Sequence, residues 1–159
     1  MRHIAALIGS ILLLASCGAG ERPFRQIQFC LNGQNDIQAL KATVQAIAQS
    51  QEMDFTDRSA DAESELESIR KDMPHVKVAH PTIVLDAHRR DGLGFGGMNF
   101  GDAPLQIAFG FSKGRNETEA RQFAEKVVQL LSTKWIIHEV PEDRGAFPLK
   151  KCDYVVPTA

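Results

Sequence analysis

Hydrophobic residues recur along this chain at two spacings, and the switches between them mark out its elements. From Arg25 to Leu31 the period is two: Ile27, Phe29 and Leu31 face one way, and Gln26, Gln28 and Cys30 the other. That is a half-buried strand, ended by the turn pair Asn32-Gly33. The spacing then becomes helical. Ile37, Leu40, Val44 and Ile47 form one stripe of a helix expected to run to about Gln51, with Asn35 as its cap and Gln38 as the capping-box partner. Met53 and Phe55 suit a short extended segment. From Ser59 a second helix is predicted, with Ala62, Leu66, Ile69 and Met73 on one face. Its acidic residues lie early and Arg70 and Lys71 late, as the helix dipole favours. Pro74 stops it.

Thr82 to Arg90 reads as a strand with Ile83, Leu85 and Ala87 inward, and Asp91-Gly92 as a two-residue hairpin turn. The partner strand begins at Leu93 and continues into a stretch of glycines and large apolar residues up to Gly101. Pro104 opens another strand, with Leu105, Ile107, Phe109 and Phe111 on one face and Gln106, Ala108, Gly110 and Ser112 on the other. That second face is small enough for another chain segment to lie against it. Asn116 caps the last helix, with Glu119 as its box partner. Ala120, Phe123, Ala124, Val127, Val128 and Leu131 make its apolar stripe. Trp135 to Val140 is a final strand, and residues 142–159 read as loop and tail. Hairpin-linked strands with helices on one face predict an α+β two-layer sandwich, with an antiparallel sheet in ferredoxin-like order and an inserted helix.

The start of the chain changes the picture. Arg2 is followed by an apolar run from Ile4 to Ala15, broken only by Gly9 and Ser10. Spanning a bilayer takes about 20 apolar residues, so the run suits a signal-peptide core instead. Leu14-Ala15-Ser16-Cys17 at its end resembles the lipobox of bacterial lipoproteins, and the rest of the chain has the look of uncharacterised proteobacterial lipoproteins. The resemblance implies removal of residues 1–16 and acylation of Cys17. Residues 17–23 are then a tether and 24–159 a single domain on the periplasmic side of a membrane. Acyl chains, at about 0.8 kcal/mol per buried methylene, make a lasting anchor. Gly18 stands where Asp would signal inner-membrane retention, so the resemblance favours the outer membrane.

Composition narrows the function class. Hydrophobic residues make up 43% of the chain, enough for a real core. Its 18 basic and 20 acidic residues nearly cancel, which suggests no nucleic-acid surface and no polybasic membrane patch. Of the 3 cysteines, lipidation of Cys17 leaves Cys30 and Cys152. A pair in an oxidising compartment reads as a disulfide.

Chemistry is sparse. Gly92 to Gly97 lacks the phosphate-loop pattern, and a strand rather than a helix follows it. The histidines show no metal-binding spacing, and no cofactor is implied. No residues add up to a catalytic constellation. The expected site is a partner-binding surface in which Phe95, Met98 and Phe100 stay exposed on the glycine-rich stretch, with Arg89 and Arg90 as a polar rim. The expected function is a non-catalytic module that binds an envelope protein, as an inhibitor or immunity factor or as an assembly accessory. The alternative is a small envelope hydrolase, or a ligand- or metal-binding lipoprotein, with Asp86, His88 or His138 in its site.

Overall fold

A computed structural model of the chain describes residues 23–75, 77, 81–143 and 145–149. In chain order the elements are β1 (Arg25–Cys30), α1 (Asn35–Ser50), β2 (Asp54–Asp57), α2 (Ser59–Asp72), β3 (Val84–His88), β4 (Leu93–Phe100), β5 (Ala103–Lys113), α3 (Glu117–Ser132) and β6 (Ile137–Val140). The strands form one sheet in the order β2-β3-β4-β5-β1-β6, and every neighbouring pair is antiparallel. Within it, β6-β1-β5-β4 with α1 and α3 is the split arrangement of a ferredoxin-like unit. The expected inserted helix, α2, arrives with two strands, β2 and β3, which extend the sheet on one side.

Alternation puts Ile27, Phe29, Leu85, Ala87, Phe95, Ile107, Phe109 and Phe111 on the inner face, where they form one cluster with Leu40 and Val44 of α1 and Phe123, Val127 and Leu131 of α3. Aromatic rings fill its centre. Phe29 stacks on Trp135 at 5.5 Å between centroids, and Phe95 meets Phe123 edge-on at 5.6 Å. Gly97 also faces inward, and a Cβ there would collide with the Ala108 carbonyl and the Phe109 ring. Among the described residues no helix is long and apolar enough to cross a membrane.

Local chemistry departs from the sequence expectations at three places. Asn35 is the first residue of α1 rather than its cap, and the cap position, Gln34, makes no side-chain bond. The helix start is held by Asp36 instead. Its carboxylate accepts from the Asn32 backbone N–H and side-chain amide, each at 2.9 Å, and from Trp135 Nε1 at 3.0 Å. Asn116 does cap α3, accepting from the Glu119 N–H at 3.1 Å, but the Glu119 carboxylate turns away to Arg89 at 2.7 Å. The β3–β4 connection is longer than two residues. Gly92 N–H donates to Arg89 O and Arg89 N–H to Leu93 O, with Gly92 at φ 89°, the three-residue hairpin closed by a left-handed glycine.

Candidate functional site

The face of the sheet turned away from α1 and α3 is unlike the inner one. Register places the outward residues in rows across the strands: His88, Gly94 and Ser112 in one, Asp86, Gly96, Gly110 and Gln26 in the next, then Val84, Met98, Ala108 and Gln28. Two segments cover part of this face. The Pro23 ring lies on Gly110, where a Cβ would come within 3.0 Å of it. Residues 145–149 cross β1 and β5. Gln28 Nε2 donates to Phe147 O at 3.0 Å. Gln106 Nε2 donates to Leu149 O at 3.0 Å, while Gln106 Oε1 accepts from the Leu149 N–H. Both glutamines are buried by this cover, Gln106 to 3% exposure. Burial of an amide is tolerated when its hydrogen bonds are made, as they are here.

The half of the face over β3 and β4 stays open. It is a shallow groove of about 540 Å³, floored by Gly94 and Gly96 and edged by Thr56, Asp86, His88 and Met98. Missing side chains on β4 let those of β3 fold across it. A Cβ at position 96 would lie 2.7 Å from Asp86 Oδ1, and one at 94 would lie 3.1 Å from His88 Cβ. His88 Nδ1 and Asp86 Oδ2 are 2.9 Å apart and hydrogen-bonded, both side chains half exposed. Ser112 sits in the row of His88, but its hydroxyl donates to Gly92 O at 2.8 Å and so is tied to the hairpin turn. Two large apolar side chains project from the same face: Met98, 49% exposed, and Phe147, 68% exposed.

Only part of the sequence-predicted site is assembled. Met98 is exposed as expected. Phe95 is not: it is 2% exposed and packs among Phe109, Phe111 and Phe123, so it belongs to the core rather than to a docking surface. Phe100 is half-buried at the far end of β4. Arg89 and Arg90 lie on the turn before β4. The strand's 8 residues separate them from Phe100 by about 25 Å, so they form no rim around it. Arg89 is engaged, bridging Asp91 and Glu119. It holds the Asp91 carboxyl down to about 2, and the two carboxylates raise the guanidinium's own pKa in return. Arg90 is exposed.

The residues of a hydrolytic site are not brought together. His88 lies on β3 and His138 and Glu139 on β6, with three strands between, about 19 Å at the usual strand spacing. Glu139 is paired with Arg25. Among the described residues no three His, Cys, Asp or Glu side chains converge to hold a metal. Cys30, at the end of β1, is half-buried, has a partner, and stands opposite Gln106. Cys17 and Cys152 lie outside the described residues, as does His80.

Sequence reasoning missed Phe147, Gln28 and Gln106. The signals were present but faint: two amides at outward strand positions, and Phe147 among the mixed polar and apolar residues of the tail. No protein-family model and no curated protein matches the chain.

Proposed function

We propose that this chain is a bacterial envelope lipoprotein, acylated on Cys17, whose domain binds another envelope protein through the outer face of its sheet. The anchor rests on Leu14-Ala15-Ser16-Cys17 and the apolar run before it. The binding role rests on one observation: Met98 and Phe147 project from a face that the chain covers only in part. Exposed Met and Phe beside backbone-floored space are what interface cores are enriched in. Arg90 and Phe100 play no part in this surface. An inhibitor or immunity factor and an assembly accessory both fit such a module, and Gly18 favours the outer membrane.

A Cys30–Cys152 disulfide belongs to the same proposal. Cys30 is not a free thiol. Its cross-strand neighbour Gln106 holds Leu149, three residues before Cys152. The bridge would pin the covering segment to β1.

The test is affinity capture of the acylated protein from its own membranes after cross-linking. One partner is expected with the wild type and none with Met98→Asp/Phe147→Asp, at unchanged melting temperature. Equal capture by both proteins would remove the basis for this face. A mass at Cys17 without acyl chains would remove the anchor.

A second reading, an envelope hydrolase, is favoured only by the Asp86–His88 hydrogen bond, which orients an imidazole toward the groove. Turnover of peptidoglycan or of an ester substrate that is lost in His88→Gln would select it over the first.

A further inference from the structure

We infer that Met98 is a site of reversible oxidation, and that a peroxide, by converting its thioether to the sulfoxide, switches off binding at the outer face of the sheet. The inference rests on the binding role proposed above for that face. Phe147 O is held by Gln28, and Gln28, Ala108 and Met98 lie in one row across β1, β5 and β4. Two strand spacings set the backbones beneath the two exposed apolar side chains about 10 Å apart. They form one patch, and its halves differ in chemistry. A phenyl ring is inert to peroxide. A thioether is not.

The surroundings leave the Met98 side chain open to solvent. Its neighbours across the row are the short side chains of Val84 and Ala108. Gly96, two residues back on the same face, has no side chain to shield it. Of the other described methionines, Met53 is buried in the core. Met73 is about as exposed as Met98, but it ends α2 and does not line the groove. Oxidation of Met98 alone among them alters the outer face.

In the step itself a sulfur lone pair takes the terminal oxygen of a hydroperoxide. The O–O bond breaks as the S–O bond forms. The proton of the transferred oxygen passes to the departing oxygen, which leaves as water or an alcohol. Sulfur gives up two electrons and the peroxide gains them. The side chain keeps its length but acquires a strongly polar S–O group. On the free face water satisfies the new oxygen. Against the apolar core of an interface no donor meets it, and an oxygen buried unpaired weakens binding. Arg58 lines the same groove. A bond from its guanidinium would draw a charge across the patch, which also opposes an apolar partner surface.

The experiment uses the full acylated protein, with its own membranes as the probe and capture after cross-linking as the readout. The protein is treated with hydrogen peroxide, freed of it with catalase, and returned to membranes that lack it. One oxygen should be added at Met98 by peptide mass, and capture should fall about five- to a hundredfold. Methionine sulfoxide reductase should restore it. Met73→Leu should lose capture as the wild type does. Met98→Leu, whatever its starting level, should be captured equally before and after peroxide. If that variant binds too weakly to compare, the reductase decides: recovery of the wild type upholds the switch, and no recovery overturns it. Undiminished capture of wild type carrying the sulfoxide at Met98 overturns the inference and leaves the binding face standing. An equal fall in Met98→Leu places the damage elsewhere and overturns it too. No capture by the untreated wild type overturns both.

Discussion

Asp91 shows how much one carboxylate does at the scale of a residue. It receives three bonds from Arg89 and accepts from the Leu93 N–H at 3.2 Å, so it closes the hairpin and lines up the arginine for Glu119. Its pKa is lowered from 3.8 to about 2 in the folded protein, first by the Arg89 side chain. A carboxyl depressed on folding stabilises in full above its unfolded pKa, and that contribution fades as the pH falls through the folded value. The melting temperature of the wild type should therefore exceed that of Asp91→Asn at pH 6, and the gap should close between about pH 4 and 2. A gap that persists at pH 2 would mean the residue acts through the turn's backbone geometry alone. Phe95 and Met98 teach a different lesson at this scale. Between them stand Gly96 and Gly97, which carry no hydropathy, so alternation along β4 cannot be read there. The inward run of β5 was legible because its four large apolar residues alternate without a gap.

Capping separates the elements from one another. Asn116 bonds the α3 backbone directly, whereas Asn35 lies inside α1 and its cap position is unassisted. Replacing an N-cap Asn by Ala typically costs about 1 kcal/mol. Asn116→Ala should lose about that much in urea unfolding, while Asn35→Ala should change stability by only about a few tenths of a kcal/mol. Equal losses would show that Asn35 is doing work not visible in its bonds. The two sites look alike in sequence, a side-chain oxygen three residues before Gln or Glu. What distinguishes them is Trp135, nearly a hundred residues away, whose indole N–H joins Asn32 on Asp36 and holds its carboxyl below the usual range. A long-range partner of this kind leaves no local trace. Helix stripes, by contrast, depend only on spacing, and that of α3 is buried as its pattern implied, with Val128 at the margin.

For the molecule as a whole, the layer architecture and the ferredoxin-like order were legible, because inward faces are periodic and hairpin turns are local. The outer face was legible in part: the small outward side chains of β5 called for a covering segment, and residues 145–149 supply it, but the glutamine bonds that seat them follow no period. If Cys30 and Cys152 are joined, reduction acts on that cover. Opening a loop of roughly 120 residues removes up to about 4–5 kcal/mol in the chain-entropy model. Treatment with dithiothreitol should lower the unfolding free energy by an amount of that order, and speed exchange at Leu149 before any in the inner strands. No change on reduction would exclude the bridge.

The bond pair between Gln106 and Leu149 carries one more consequence. The amide engages an N–H and a C=O of the main chain and nothing of the leucine side chain. Such a contact is blind to sequence: nearly any amino acid at 149 satisfies it, and proline alone is barred, because it offers no hydrogen. A competitor for that half of the sheet need only offer Gln106 one donor and one acceptor, whatever its sequence.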